Sequence, residues 1–282
     1  MTPAWDSTRT LSLRCARSVK IASYNVNGVN GRLPHLLEWL AESSPDVACL
    51  QELKTDDSKF PIGAVESSGY GAIWHGQRAH HGVAVLAKGE TPVEVRRGLP
   101  GDAADVQARY LEAETKGIVA ASIYLPNGNP TGSQNFQYKL RWFARFIEYA
   151  NQMAASLRPI ALAGDLNVVP TDFDIHNPGW WRGDAVMQPE AREAYSRLLS
   201  QGWTDAARHL YPDKRMYTYW TTENAFRQNK GMRLDFLLLN NPLKLRLTRA
   251  GVDAAFRGGH KPSDHAPVWV ELANRDSQRQ AT

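Results

Sequence analysis

The sequence predicts an α/β fold, on two observations. Short apolar runs rich in Val, Ile and Leu recur along the chain between turn residues, and the segments separating several of them carry apolar residues at helical spacing. A third observation bears on organisation: the 282 residues contain no internal repeat, no low-complexity tract and no Pro/Gly/Ser linker, so one domain is expected over 19–273.

In chain order, residues 19–24 (VKIASY) and 46–51 (DVACLQ) read as interior strands, with a helix in HLLEWLAESS after Pro34, where Leu36, Leu37 and Leu40 fall at helical spacing. Strands follow at 82–88 (GVAVLAK) and 116–125 (KGIVAASIYL). A long helix then begins near Gln134 with Leu140, Phe143, Ile147 and Ala150 on one face. The run 159–166 (PIALAGDL) is the next strand, and 189–201 is a helix for which Pro189 suits the first turn. RLDFLLL (233–239) and PVWVEL (267–272) close the series. Pattern alone leaves open whether these strands form one sheet or two.

The bulk properties exclude some classes. No apolar run approaches the ~20 residues of a membrane helix, so no membrane span is expected. Two cysteines, Cys15 and Cys49, are too few for a disulfide framework, which points to a reducing, cytoplasmic compartment. Residues 1–18 read as a disordered extension, with a transit-like peptide as the sharper alternative, and 274–282 as a tail. Net charge is only +4, yet between Asp205 and Lys261 there are 11 Lys and Arg against 5 Asp and Glu. That excess fits a phosphate-facing surface as well as it fits a solvated basic face.

Polar residues recur where apolar runs stop: Asn25, Glu52, Tyr124, Asp165 with Asn167, Asp235, and Asp264 with His265. Strand ends are where α/β folds gather their sites. Singly, each has a bland explanation as a turn or cap residue. Taken together, the carboxylates Glu52, Asp165 and Asp264, the amides Asn25 and Asn167 and His265 offer mostly hard oxygen ligands, which suit Mg²⁺ or Mn²⁺ better than zinc. Asp235, between Leu234 and Phe236, is expected to be partly buried and to need a partner. His265 is the candidate, and an aspartate accepting its proton would fix the tautomer and raise its pKa.

Seven motifs in order, SYNVNG (23–28), LQELK (50–54), HGVAVLAK (81–88), YLPNG (124–128), GDLNVVP (164–170), GMRLDFLLL (231–239) and SDHAPV (263–268), resemble the exonuclease III family of abasic-site endonucleases within the endonuclease/exonuclease/phosphatase superfamily. The resemblance spans roughly Val19 to Leu272. It implies a four-layered α/β sandwich: two mixed β-sheets packed face to face, helices on the outer sides, and the site at one edge. It implies that Asn25 and Glu52 hold the metal, with Asp165, Asn167, Asp264 and His265 around it. It further implies that Asp165 handles the proton, Asn167 stabilises the transition state, Asp235 orients His265, and Tyr124 contacts the phosphate. Tyr124 stands where pancreatic-type deoxyribonucleases and sphingomyelinases place a histidine. Asn27 stands where some relatives carry aspartate.

The activity so implied is Mg²⁺-dependent cleavage 5′ of abasic sites in duplex DNA, with trimming of blocked 3′ ends and Mn²⁺ able to substitute. The expected partner is double-stranded DNA and the expected state a monomer, nucleoid-associated if the source is bacterial. A pocket for the flipped sugar would be walled by Tyr219, Met232 and Leu234 with Trp220 close by, although aromatics at strand spacing equally serve core packing. Met232 replaces a larger aromatic of many relatives, which predicts a looser pocket. DNA grip is expected from Lys54, Asn127, Asn129, Arg227, Lys230 and Arg233, whereas the acidic TDFDIHNPGWW loop (171–181) is assigned no contact. The alternatives are another phosphoesterase on this scaffold, acting on RNA tails, phosphoinositides or sphingomyelin, and a DNA-binding relative without catalysis.

Overall fold

A computed structural model describes residues 18–274; the expected extension and tail lie outside them except for Ser18 and Asn274. Twelve strands form: β1 (Val19–Asn25), β2 (Val47–Gln51), β3 (Tyr70–His75), β4 (Val83–Lys88), β5 (Val93–Arg97), β6 (Tyr110–Thr115), β7 (Ile118–Tyr124), β8 (Ile160–Asp165), β9 (Thr204–Asp205), β10 (Asp235–Leu239), β11 (Leu247–Val252) and β12 (Val268–Leu272). The main helices are α1 (Leu33–Ser43), α2 (Ile62–Ser67), α3 (Gln134–Ala154) and α4 (Pro189–Ser200). The strands divide into two mixed six-stranded sheets, in the orders β11-β12-β1-β2-β4-β3 and β5-β6-β7-β8-β10-β9.

Every expected strand and helix forms, and period-two alternation explains the layering. In β1, Ile21 points between the sheets while Ala22 and Tyr24 point outward. The inter-sheet core joins Ile21, Val47, Cys49 and Val85 to Ala113, Ala120, Ala161, Ala163 and Leu237. On one outer face Leu36, Trp39 and Leu40 of α1 cover the first sheet, and on the other Trp142, Phe143 and Phe146 of α3 with Tyr195 and Leu198 of α4 cover the second. Strands buried on both faces read as continuous apolar runs, which is why these seven were legible. The five additional strands are β3, β5, β6, β9 and β11. Four of them are the edges of the two sheets, and an edge strand pairs on one side only and keeps polar residues, β5 being exposed throughout. The fifth, β6, carries Glu112 in its interior, where the carboxylate is buried because it accepts hydrogen bonds from Tyr110 and Tyr149.

Helix α3 departs from expectation by rotation. Leu140 is only partly buried, and the covered face contains Lys139 beside Trp142, Phe143 and Phe146. Outside the apolar layers, Arg233 forms the largest buried ionic cluster seen here. Its Nε lies 2.7 Å from Asp174 and its Nη1 2.6 Å from Asp205, while Arg208 adds a second cation to Asp174 at 2.6 Å. Burial would raise the Asp174 carboxyl, but Arg233 and the bonds around it hold it below the usual carboxylate range.

Removing Arg233 leaves the buried Asp205 without a cation and Asp174 with Arg208 alone, so Arg233→Met is expected to cost about 3–5 kcal/mol in urea denaturation at neutral pH. Asp174 has a depressed folded pKa, so its contribution is complete above its unfolded value and is lost as pH falls through the folded one. The gap between wild type and variant should therefore narrow as pH falls below about 4, and a gap that widens in acid would contradict this account.

Candidate active site

Sheet topology brings the polar residues to one edge. β1 and β2 are parallel, as are β7 and β8, so Asn25, Tyr124 and Asp165 end their strands side by side, with Glu52 one residue past β2. β10 runs antiparallel to β8, which sets Asp235, its first residue, opposite Asp165. β12 runs antiparallel to β1, so Asp264 and His265 enter at the same edge. Glu52, Tyr124, Asp165, Asp264 and His265 line a cleft of about 690 Å³ across the two sheets, with Asn25 and Asp235 buried behind that lining.

Its floor is tied by side-chain hydrogen bonds. The Asn25 amide donates to Glu52 Oε1 (3.1 Å) and to Asp165 Oδ2 (3.0 Å), and the Tyr124 hydroxyl donates to Glu52 Oε1 at 2.6 Å. Beneath it, Gln51 accepts from Ser23 and donates to Ser122, continuing the link between sheets. Asn27, Glu52, Lys54 and Asn167 all adopt left-handed backbone, with φ of 47°, 52°, 53° and 45°. For a glutamate or lysine that conformation costs of order 1–3 kcal/mol, a strain typical of sites that must aim a side chain.

His265 Nδ1 lies 2.8 Å from Asp235 Oδ2, which also accepts the Thr218 hydroxyl at 2.6 Å. The other ring nitrogen faces Asp165 Oδ2 at 3.7 Å, too far for a hydrogen bond. Burial would lower the imidazole pKa, but Asp235, through charge and hydrogen bond, and then Asp165 and Asp264 push it up to about 10. The ring is an imidazolium at neutral pH. Burial raises the Asp165 carboxyl to about 7, opposed by the His265 charge. Burial also drives the Tyr124 phenol well up, reinforced by Glu52 and Asp165, so it stays protonated. Asn167 is fixed from three sides: its N–H donates to Asp165 Oδ1, its amide nitrogen to the Leu125 carbonyl, and its amide oxygen accepts from Asn127.

Cation chemistry fits the opposite wall. Burial would raise Glu52, but Lys54 and the Tyr124 hydroxyl hold its carboxyl low. The Lys54 ammonium sits 2.8 Å from Glu52 Oε2 and 2.5 Å from Asn27 Oδ1, and the Asn27 amide donates to Asp264. Oxygens that already grip one cation are suited to a divalent ion. Asp165, Asp235 and His265 also form a close cluster, but two of them are already paired to each other.

Tyr219, Met232, Leu234, Asn127, Asn129 and Lys54 all line the cleft as expected from the sequence. Arg233 does not. It is 3% exposed and neutralised by two aspartates, so it has no free charge for DNA. Trp220 is likewise corrected: at 3% exposure it packs with Tyr217 and Ala266, outside the lining. Arg227 is exposed but paired with Glu223, and Lys230 stands in a neighbouring groove over Trp180. The structure adds Arg109, Gln107, His80, His81 and Trp181 to the lining. His81 opens one of the seven motifs, so a signal was present, and Trp181 belongs to the loop assigned no contact. That loop's acidic residues face Arg192, Arg208 and Arg233, which frees its tryptophan for the cleft wall.

A two-sheet sandwich whose open edge sets a buried carboxylate of raised pKa between an aspartate-held imidazolium and a cation-binding oxygen cluster defines a class of hydrolytic site. The comparisons with known proteins agree. Residues 22–265 match the Endonuclease/Exonuclease/phosphatase family, and the chain belongs to it as an exonuclease III-like hydrolase. It is 36% identical to exodeoxyribonuclease III of Haemophilus influenzae over 90% of this chain and 100% of that one, and 34% identical to the DNA repair nuclease APEX1 of Danio rerio over 92% and 83%. Among solved structures, an AP endonuclease from Archaeoglobus fulgidus superposes with a TM-score of 0.86 at 32% identity, covering 90% of this chain and 99% of that one. A 3′ phosphatase from Neisseria bound to a product DNA hairpin superposes with a TM-score of 0.87 at 34% identity, covering 91% and 100%.

Asp235→Asn removes the strongest influence raising the His265 pKa. In a ring-proton NMR titration of metal-free protein, the His265 midpoint should fall from about 10 into or below the ordinary imidazole range. An unmoved midpoint would reject the pairing as the cause.

Proposed function

We propose that this chain is a Mg²⁺-dependent DNA-repair phosphodiesterase, able to use Mn²⁺, that cuts duplex DNA on the 5′ side of abasic sites and trims blocked 3′ ends. It acts as a monomer, in the cytoplasm. The observation that carries the reading is the convergence of Asp165, Asn167, the Asp235–His265 pair, Tyr124 and Glu52 on one cleft floor. Relatives named as an exodeoxyribonuclease, a DNA repair nuclease and an AP endonuclease support the substrate.

In this reading Glu52 and Asn25, with Asp264, Asp165, Asn167 and His265 around them, would hold a divalent ion, which would supply polarisation of a phosphoryl oxygen and ease departure of the 3′-oxyanion. The protein does the rest. Asp165, whose burial makes its carboxylate a stronger base than an exposed aspartate, takes the proton of the attacking water and returns it to the leaving oxygen. The His265 imidazolium and the second N–H of the Asn167 amide stabilise charge on the nonbridging oxygens. The Tyr124 phenol stays protonated and lines the cleft, and on substrate binding it turns its one O–H from Glu52 to the phosphate.

The abasic sugar enters against Tyr219, Met232, Leu234 and Trp181. Asn127, Asn129, Arg109 and the His80–His81 turn bear on the strand, and Lys54, in the same lining, serves the phosphate. The looser wall at Met232 favours 3′-end trimming beside incision.

Asp165→Asn, at fixed Mg²⁺, should lower incision of an abasic duplex by about 10²–10⁴-fold while leaving duplex affinity within a few-fold. Near-wild-type incision would sink the assignment. Chelation with EDTA should abolish product, and either Mg²⁺ or Mn²⁺ should restore it. A gel assay on abasic, nicked and 3′-phosphate duplexes separates incision from trimming, and binding of abasic duplex by the wild-type chain with no product in either Mg²⁺ or Mn²⁺ would favour the non-catalytic reading.

A further inference from the structure

Lys139 is completely buried on the face of α3 that packs against the second sheet. Its ammonium donates to three backbone carbonyls: Asn127 O at 2.9 Å, Asn167 O at 2.6 Å and Ala185 O at 3.2 Å. An ammonium has three N–H donors, so each is satisfied and none is left for solvent or substrate. Among the described residues no carboxylate lies within ion-pair distance of it. Burying an unpaired ammonium is costly, and here burial pulls its pKa down to about 7. A methionine would occupy the same depth without that cost but would leave the three carbonyls without a donor, so the reason for lysine lies in those carbonyls.

What accounts for it is where the carbonyls belong. Asn127 lies on the loop after β7, Asn167 on the loop after β8, and Ala185 on the segment before α4. These three loops turn polar side chains into the cleft, which forces their carbonyls inward onto α3, where they would repel one another. The Asn127 amide donates to the Asn167 amide, and Asn129 joins Asp184 and Ala185, so the loops register against each other through the same side chains that face substrate. The fit is tight: a Cβ on Gly128 would come within 2.5 Å of Lys139 Cδ, at a backbone φ of +88°.

We propose that Lys139 is a positioning residue for this active site, a buried cation that gathers three loop carbonyls and thereby fixes the Asn167 and Asn127 amides. It touches neither substrate nor metal. The inference rests on the proposed function for its kinetic arm only.

The test compares wild type with Lys139→Met and Lys139→Gln in the full chain. One readout is kcat and KM on an abasic duplex with Mg²⁺. The other is amide hydrogen exchange in residues 125–129, 165–169 and 183–187 of metal-free, DNA-free protein. For Lys139→Met, kcat should fall about 100-fold with KM nearly unchanged, because an ångström of misplacement suffices for that loss. Exchange should rise in the three loops and not in β7 or β8. Lys139→Gln, which keeps a donor for some of the carbonyls, should lie between. Wild-type kcat and unchanged loop exchange in Lys139→Met would overturn the proposal, and so would failure of both variants to fold, which would make Lys139 a folding residue. Should wild type incise no duplex, the functional reading fails while loop exchange still decides the role of Lys139.

Discussion

The Asn25 side chain, reaching from the first sheet to Asp165 of the second and to Glu52 of its own, is the contact on which the cleft depends. Two twisted sheets packed through small apolar residues have no intrinsic reason to keep their edges in register. Hydrogen bonds between buried polar groups supply one, because each group left unpaired in that environment costs a further 1–3 kcal/mol. The Tyr124 hydroxyl to Glu52 and the Gln51–Ser122 link act in parallel with it, so the catalytic edge is fastened from both sheets.

That fastening sets the electrostatics. Because Asp235 and Asp165 occupy opposed positions on adjacent strands, one carboxylate can be committed to His265 while the other is left facing it at 3.7 Å. Burial disfavours the charged form of both groups: it raises the Asp165 carboxyl, whereas at His265 the bonded Asp235 overrides it and pushes the imidazole pKa up. On the other side of the cleft, Glu52 and Asn27 are both bonded to the Lys54 ammonium.

Ionic groups away from the floor follow a related rule. Arg233 belongs to a basic stretch of sequence, yet it holds the acidic 172–174 turn and Asp205 together. Lys139 does for three loops what Arg233 does for two aspartates. In both cases a long cation is drawn inward by acceptors that converge from distant parts of the chain, so that neither contributes to a surface field.

Much of this protein was legible in its sequence. Strands buried on both faces declare themselves as apolar runs, and although a lone polar residue at the end of such a run serves as readily in a turn or cap, Asn25, Tyr124, Asp165 and Asp235 were legible together as a set. The edge strands β3, β5, β9 and β11 were not, since a strand half in water carries no such pattern. Nor did periodicity choose between Leu140 and Lys139 for the inner face of α3, or between surface and interior for Arg233 and Trp220. Those choices depend on which acceptors and rings lie opposite, and only the tertiary structure brings them there. The sequence by itself determined the residue types and their strand-end positions, because local chemistry and period fix both. Distances, buried cations and pKa values were decided by packing, because each is a property of groups that separate elements bring together, such as Asn25 and Asp165 from the two sheets.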